Sequence, residues 1–264
     1  MMKKVLTIAG SDCSGGAGIQ ADLKTMSALG VFGMSVIVSV VAENTMRVAA
    51  VENMSGEMTR AQMACIFEDM GTDAVKIGML GSEEIMHAVA DGLQAYVPRH
   101  IVFDPVMYAK NGYPLMPEDT MRTLMKEVVP LADVVTPNIP EAEFLAQCAI
   151  HNEDDMVRAA MKIAATGCRA VLVKGGHRTD EATDILYAGG EVTRFTGRHI
   201  ESKDTHGTGC TLSSAIASYL ALGEELERAI SLAKEYVTGC IVHAPGIGKG
   251  NGALHHFWRW YGDE

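Results

Sequence analysis

The chain has 264 residues, a formal net charge of −11 at pH 7 and 48% hydrophobic residues. This length is enough for one large α/β domain with a sizeable core, and the acidic balance argues against a nucleic-acid-binding surface. The six cysteines show no C-x-x-C pair, and no apolar run approaches the roughly 18 residues of a membrane span. We therefore expect a cytoplasmic protein with no disulfide framework, no membrane anchor and no nucleic-acid partner.

Taken in chain order, the sequence predicts strands that alternate with helices. Short apolar, β-branched runs indicate buried strands, and apolar residues at helical spacing behind a capping residue indicate helices. The first half predicts strands at 4–9, 34–41, 46–54, 74–77 and 100–103, and helices at 19–29, 55–70, 82–94 and 117–127. The second half predicts strands at 133–136 and 169–173, a hairpin at 183–187 and 191–199, and helices at 141–146, 152–165, 211–222 and 224–243. Such alternation predicts a single α/β domain over residues 1–264, with three layers and a mostly parallel central sheet between helices.

Polar residues follow these strands at the carboxyl edge of the sheet, where ligands bind in α/β folds. Asp104 and Glu141 follow adjacent strands, and paired carboxylates suit a hydrated Mg²⁺ ion. Lys174 ends another strand and is placed to meet a phosphate as a point charge. Each residue could also be purely structural, as a turn residue, a first-turn helix carboxylate or a solvated strand end. Their occurrence on one edge favours a site.

The first of two glycine-rich stretches is Gly16-x-Gly18-x-x-Ala21, which fits the G-x-G-x-x-G/A dinucleotide fingerprint. Glu43 ends the second strand, roughly where a ribose-binding acid belongs, so an NAD-dependent dehydrogenase is an alternative. The fingerprint needs its first glycine directly after the strand, and residues 11–15 separate Gly10 from Gly16. That spacing disfavours the dehydrogenase.

The second glycine-rich stretch is Asp204-Thr205-His206-Gly207-Thr208-Gly209-Cys210-Thr211, directly before a predicted helix. Gly207 and Gly209 permit a tight turn whose amides, together with the helix N-terminus, favour an anion. At the mouth of that site, the Cys210 thiol is expected to ionise easily. The same residues also fit a plain strand-to-helix turn with a cysteine that only packs. Because the chain contains no G-x-x-x-x-G-K-[ST], any kinase here is not a P-loop enzyme.

Five blocks of the sequence, in order, resemble the ribokinase-like small-molecule kinases, and among them the hydroxymethylpyrimidine/phosphomethylpyrimidine kinases of thiamine biosynthesis. The blocks are residues 9–24, Asp104-Pro105-Val106-Met107, Thr136-Pro137-Asn138-x-x-Glu141, Val173-Lys174-Gly175-Gly176-His177 and Thr205-His206-Gly207-Thr208-Gly209-Cys210-Thr211-Leu212-Ser213. The resemblance covers essentially the whole length. It implies an ATP- and Mg²⁺-dependent kinase that phosphorylates 4-amino-5-hydroxymethyl-2-methylpyrimidine and then its monophosphate, and it suggests a homodimer formed through residues 34–54.

The resemblance also implies a role for individual residues. The pyrimidine site would be lined by Gly10, Asp22, Glu43, Met79 and Val106. Asp104 and Glu141 would hold Mg²⁺ through water. The nucleotide would contact Asn138, Lys174, Thr205, Gly207 and Gly209. Lys174 and the amides of Gly207, Thr208, Gly209 and Cys210 would act on the transferring phosphate, and Cys210 would be the base, at a position where most of the wider ribokinase group has Asp.

Three positions depart from the family pattern: Glu43, Cys13 and the stretch Gly250-Asn251-Gly252-Ala253, to which no effect is assigned. Glu43 stands where many pyrimidine kinases have Gln, and a carboxylate cannot donate a hydrogen bond to a ring nitrogen unless it is protonated. This change keeps a pyridoxal (vitamin B6) kinase, or a dual enzyme, as the close alternative. Cys13 replaces the usual Pro or Ser, with a minor effect expected. A non-catalytic ligand-binding regulator on the same fold is disfavoured because Lys174, Asp104, Glu141 and Cys210 occur together.

Overall fold

The structure, a computed structural model, describes residues 1–109, 112–116, 120–176, 182–197 and 200–261. Within these ranges the strands are β1 (Lys4–Asp12), β2 (Phe32–Glu43), β3 (Val48–Asn53), β4 (Ala74–Ile77), β5 (Ile101–Phe103), β6 (Val134–Val135), β7 (Ala170–Val173), β8 (Ala182–Ala188) and β9 (Glu191–Gly197). They form one sheet in the order β3-β2-β1-β4-β5-β6-β7-β8-β9. In this order, neighbouring strands from β2 through β7 pair in parallel, whereas β3, β8 and β9 pair antiparallel to their neighbours. The predicted mostly parallel sheet is confirmed.

Helices cover both faces of this sheet. They are α1 (Gly18–Ala28), α2 (Gly56–Asp69), α3 (Glu83–Tyr96), α4 (Met121–Thr123), α5 (Ile139–Ala146), α6 (Glu153–Ala164), α7 (Thr208–Leu222) and α8 (Leu226–Val242). One hydrophobic core joins the sheet to α2, α3, α5 and α6, and a second core joins the opposite face to α1, α7 and α8. None of the helices in the described ranges combines the length and apolarity that crossing a bilayer requires.

The two cores follow from the alternation of side chains along each strand. Val5 and Val134 belong to the core under α7, whereas their neighbours Leu6 and Val135 belong to the core under α3. Because successive residues of a strand point to opposite faces, strands that are buried on both sides must be apolar throughout. This explains the continuous apolar runs that predicted β1, β4, β6 and β7.

Several elements extend beyond their predicted bounds, and the extensions of β1 and α7 lie at the candidate site. β1 continues past a bulge after Ala9 to Asp12, because its last residues stay in register with Val41 of β2. Helix α7 begins at Thr208 rather than at 211. Thr208, Gly209 and Cys210 therefore form the first helical turn and not a preceding loop.

The helix predicted over residues 117–127 is present but irregular in its described part, while residues 117–119 lie outside the described ranges. Only Met121–Thr123 is α-helical, and the chain continues as a π-helical turn, Leu124–Val128, and a 3₁₀ turn, Val129–Leu131. Pro130 has no amide hydrogen to donate, and its ring is incompatible with a continuing α-helix. The helix therefore ends in a wide π-helical turn followed by a narrow 3₁₀ turn.

Candidate active site

A small cavity opens at the carboxyl edge of the sheet, between the ends of β1 and β2 and the first turns of α1 and α7. Five of the predicted site residues line it: Gly10, Glu43, Met79, Val106 and Cys210. A wider groove on the molecular surface, between Met121 and Phe144, contains none of the predicted site residues. The chemistry suggested by the sequence therefore converges on the smaller cavity.

Asp22 lies below this cavity and not in its wall, although the resemblance places it among the substrate-binding residues. Its side chain is fully buried between α1, the sheet and α7. The carboxylate accepts hydrogen bonds from Thr7 Oγ1 at 2.6 Å, Lys76 Nζ at 2.8 Å and Ser214 Oγ at 2.6 Å. Asp22 thus stabilises the floor of the site by joining three elements.

Lys76 is a site residue that the sequence analysis missed. It lies in β4, is fully buried, and lines the cavity while pairing with Asp22. Burial opposes its charge, but the attraction of Asp22, with Cys210 and Asp104 as weaker contributors, outweighs it and raises the pKa of Lys76. The available signal was a lysine inside the apolar strand Ala74-Val75-Lys76-Ile77, since a buried charge must be paired.

The first turn of α7 provides the anion-binding geometry that the sequence predicts. Gly207 precedes the helix with a φ of 85°, and a Cβ atom there would lie 1.9 Å from the Gly16 carbonyl oxygen, so only glycine fits. Within the described residues, the amides of Gly209 and Cys210 donate to no protein acceptor. Unpaired amides at a helix N-terminus favour a bound anion.

Lys174 and Asp104 lie directly beside these amides. Lys174 Nζ donates to Asp104 Oδ1 at 2.8 Å, and a Cβ atom on Gly209 would lie 3.4 Å from Lys174 Nζ. Burial opposes the charge of Lys174, but Asp104 and Glu141 outweigh it and raise the pKa of the lysine. Lys174 therefore carries a stable positive charge next to the open end of α7.

Glu141 and Asn138 form a capping box at the start of α5. The Glu141 side chain accepts from the Asn138 amide at 2.8 Å, and the Asn138 side chain accepts from the Glu141 amide at 2.9 Å. Asn138 also bridges to Lys174 across the sheet edge. The predicted nucleotide residue Thr205 accepts hydrogen bonds from Thr208 through its carbonyl group, which orders the entry to α7.

The carboxyl groups of Asp104 and Glu141 fit a divalent cation. Both are almost fully buried, and burial together with the charge of Asp104 raises the pKa of Glu141 to about 7, although Lys174 opposes the shift. Two buried acids beside a single lysine need one more positive charge if both are to ionise. Carboxylate oxygens are the hard ligands that Mg²⁺ prefers.

The first glycine-rich stretch is not an open phosphate loop. The amides of Ser14, Gly16 and Ala17 all donate to the Asp12 carboxylate, at 2.7, 3.1 and 2.8 Å. His206 Nε2 lies 3.0 Å from the same carboxylate. An internal anion thus occupies the position that a pyrophosphate takes in a dinucleotide-binding loop, which removes the structural basis of the dehydrogenase alternative.

The expectation that the Cys210 thiol ionises easily is wrong for the unliganded protein. Burial raises the pKa of Cys210 to about 11, and the charges of Asp22 and Asp104 act in the same direction. Lys76 and the amide of Gly18, which donates to the sulfur, favour the thiolate but do not outweigh the loss of water. Desolvation exceeds the effect of the helix N-terminus here.

A three-layer α/β fold without a P-loop, with an open helix N-terminus beside a lysine and two acids, defines a small-molecule kinase of the ribokinase-like type. The family model described as phosphomethylpyrimidine kinase matches residues 12–255. The chain belongs to this family.

Individual relatives agree with this assignment. A protein from Rhizobium meliloti (strain 1021), named hydroxymethylpyrimidine/phosphomethylpyrimidine kinase, is 50% identical over 262 residues and is matched over 98% of both chains. A crystal structure of phosphomethylpyrimidine kinase from Clostridium difficile 630 has a TM-score of 0.81 and 47% identity, covering 89% of this chain and 98% of that one. An ADP complex of Bacillus subtilis pyridoxal kinase has a TM-score of 0.92 and 37% identity, covering 99% and 100%.

Proposed function

We propose that this protein transfers the γ-phosphoryl group of ATP to the hydroxymethyl group of 4-amino-5-hydroxymethyl-2-methylpyrimidine, and then phosphorylates the monophosphate. One observation carries the proposal. The unpaired amides of Gly209 and Cys210 meet Lys174 and Asp104 at the edge of a small cavity that contains the Cys210 thiol. A phosphate at the amides and an alcohol in the cavity would be neighbours.

Phosphoryl transfer mainly requires positioning and charge stabilisation. The amides of α7 hold the transferring phosphate, and Lys174 neutralises part of its charge. Asp104 and Glu141 would hold Mg²⁺, which would supply positive charge for the phosphate oxygens. Lys174 and Asp104 keep each other in place through their 2.8 Å contact, so the positive charge stays where the negative charge develops.

Cys210 accepts the proton of the hydroxymethyl group. A thiol with a pKa of about 11 is ionised in about one molecule in a thousand at pH 8, so turnover must rise with pH. Its conjugate base is correspondingly strong, and Lys76 with the Gly18 amide stabilises the thiolate once it forms. The alcohol becomes acidic only as the new O–P bond forms, which is when the base is needed.

A pyridoxal kinase activity is the second candidate. It is favoured by the 37% identity and full-length fold similarity to the Bacillus subtilis pyridoxal kinase. The deciding experiment measures ATP consumption by the purified protein with the aminopyrimidine alcohol and with pyridoxal, and identifies the products by mass spectrometry. We expect mono- and diphosphorylated pyrimidine, with pyridoxal turned over more slowly. A preference for pyridoxal would replace the first function by the second, and no turnover of either alcohol would contradict both.

The metal assignment is tested by a double variant, Asp104→Asn with Glu141→Gln. Removing both carboxylates should raise the Mg²⁺ concentration for half-maximal turnover at least about tenfold, because the water ligands lose their acceptors. Glu52→Gln, which changes an exposed glutamate in β3, is the matched control. An unchanged Mg²⁺ requirement in the double variant would exclude these two residues as the cation site.

We also propose a single domain over residues 1–264, a cytoplasmic location and a homodimer. The edge hairpin formed by β2 and β3 supports the dimer because it exposes apolar side chains, with Val40 in β2 at 47% and Met46 in the connecting turn at 60% of their full exposure. Sedimentation equilibrium of the wild type and of Val40→Asp with Met46→Asp tests this proposal. A dimer that becomes a monomer in the variant is the expected result.

A further inference from the structure

Glu43 is the cavity residue whose chemistry differs most from the family pattern. It is the last residue of β2, directly after a bulge in the pairing with β3, and it is partly buried. Its backbone is held by Cys13, whose Sγ lies 3.2 Å from the Glu43 carbonyl oxygen and 3.4 Å from its amide nitrogen. The bulge and this clamp direct a side chain of limited freedom into the wall of the cavity.

The surroundings of Glu43 disfavour a negative charge. Burial and the neighbouring Asp12 carboxylate raise the pKa of Glu43 to about 7, while His206 opposes the shift. Terminal atoms of Glu43, Asp12 and His206 lie within 4.8 Å of one another. The remaining titratable groups of the cavity are Lys76, which is paired with Asp22, and the neutral Cys210 thiol. In the described residues, no donor forms a hydrogen bond with the Glu43 carboxyl group.

This group of three side chains is not arranged as a metal site, because Asp12 Oδ2, the oxygen that contacts His206, already has four hydrogen-bond partners. The two carboxylate oxygens of Asp12 accept from the amides of Ser14, Gly16 and Ala17, from the Ser14 hydroxyl, and contact His206. These hydrogen bonds outweigh burial and lower the pKa of Asp12. Asp12 is therefore the fixed anion of the pair, and Glu43 is the member that takes a proton.

The edge of a 4-aminopyrimidine needs both a donor and an acceptor. It presents an amino N–H beside a ring nitrogen that only accepts. An amide side chain matches this edge, because it offers one oxygen and one N–H group. An ionised carboxylate offers two acceptors, and one of them would face the lone pair of the ring nitrogen without a hydrogen between them. A protonated carboxyl group restores the match, since its O–H donates and its carbonyl oxygen accepts.

We propose that Glu43 binds the aminopyrimidine with one proton held between its carboxyl oxygen and the ring nitrogen, while its second oxygen accepts from the 4-amino group. This inference rests on the proposed function and assigns Glu43 as a proton-dependent specificity residue. When Glu43 is ionised in the free protein, binding of the neutral substrate then takes up one proton from solution. With a pKa of about 7, the KM for the alcohol should rise about 50-fold between pH 7 and pH 9, whereas ATP binding should not follow this dependence.

The test compares the wild type with Glu43→Gln, which has nearly the same shape and carries donor and acceptor at every pH. The KM for the aminopyrimidine alcohol and kcat are measured from pH 6 to pH 9, with Glu52→Gln as the control for loss of a surface charge. KM is calculated from the concentration of neutral substrate for all three proteins, so the ratio of wild-type to variant KM isolates the proton carried by Glu43. Calorimetry at pH 8 in two buffers of different ionisation enthalpy counts the protons taken up on binding.

We expect the ratio of wild-type to Glu43→Gln KM to rise about 50-fold between pH 7 and pH 9, with the pH dependence of kcat the same in both proteins. Close to one proton should be taken up per substrate by the wild type at pH 8, and the variant should take up fewer. Parallel KM profiles, or equal proton uptake, would overturn the inference alone, since the alcohol would still be a substrate. Absence of turnover by all three proteins at every pH would overturn the proposed function and the inference together.

Discussion

The two glycine-rich stretches of this protein, residues 12–18 and 207–210, look alike in sequence and differ in what their amides bind. Both lie at the N-terminus of a helix, and both contain two glycines separated by one residue. In the first stretch, three amides donate to the carboxylate of Asp12. In the second, the amides of Gly209 and Cys210 have no acceptor within the described residues. An amide-lined turn is thus an anion site only if no carboxylate of the protein already occupies it.

The first stretch (residues 12–18), whose amides bind Asp12, packs against the second stretch (residues 207–210), whose amides are open. His206 and Asp12 join the two stretches, and the close approach of Gly207 to the Gly16 carbonyl oxygen leaves no room for a side chain. The amide of Gly18 donates to the sulfur of Cys210. The first stretch therefore forms a wall against which the N-terminal turn of α7 is packed.

The largest expected effect in this comparison is at the open stretch, where Cys210→Ala removes the proposed proton acceptor. We expect kcat to fall about 10²–10⁴-fold while the affinity for nucleotide is retained. Cys65→Ala, at an exposed cysteine of α2, is the matched control. Steady-state kinetics and a nucleotide titration measure both quantities, and unchanged turnover would remove Cys210 as the base.

The protonation state of Cys210 makes a second prediction at the same position. Because burial raises its pKa to about 11, wild-type kcat should rise about tenfold per pH unit between pH 6 and pH 8. Cys210→Asp places a group with a much lower pKa there, so its kcat should depend far less on pH, whatever its absolute value. A flat wild-type profile would mean that the proton goes elsewhere.

Adding one methyl group to each stretch should distinguish the proposed phosphate-binding role of the second stretch from the structural role of the first. A Cβ atom on Gly209 would lie 3.2 Å from Asp104 Oδ2, within the phosphate position, and alanine suits a helical turn. A Cβ atom on Gly16 would lie 2.3 Å from His206 Cδ2. We expect Gly209→Ala to lower kcat/KM for ATP about tenfold without loss of stability. Gly16→Ala should lower the free energy of unfolding by about 1–3 kcal/mol. Denaturant unfolding and steady-state kinetics of both variants check this, and equal stability losses would contradict the division.

The smallest effect is expected for removal of the Asp12 carboxylate charge, measured as a change in the free energy of unfolding. The pKa of Asp12 is lowered in the folded protein, so its stabilising contribution is present above the unfolded value of about 3.9 and is lost as the pH falls through the folded value. Asp12→Asn should therefore lower the free energy of unfolding by about 1–2 kcal/mol at pH 7. The difference from the wild type should shrink below about pH 4. Unfolding curves from pH 3 to pH 7 test it, and a difference that does not change with pH would exclude the charge as the cause.

Much of the fold was predictable because strong local patterns determine it. The strand at 74–77 agrees with β4 residue for residue, and Ser55 and Ser82 cap the helices that were predicted behind them. The prediction was incomplete where a local pattern competes with its context. Residues 117–127 have helical spacing, but their described part changes from an α-helical to a π-helical turn just before Pro130.

The candidate site was only partly predictable. Gly10, Glu43, Met79 and Val106 do line one cavity, and Asp104 does meet Lys174. Asp22 of α1 was predicted to line the cavity but lies beneath it, because its carboxylate is bound by Lys76 of β4. Lys76 was not predicted because its partner is 54 residues away, and no local spacing reports such a pair.

The sequence alone determined the order of strands and helices, the parallel sheet and the edge at which a ligand binds, since these depend on apolar periodicity and on glycine positions along the chain. Only the tertiary structure decided which glycine-rich stretch is open, because Asp12 fills one of them through contacts that depend on the fold. It also decided the protonation of Cys210 and Glu43, since burial and distant charges set those pKa values. Side-chain chemistry at this site is thus a property of the assembled neighbourhood and not of the local motif.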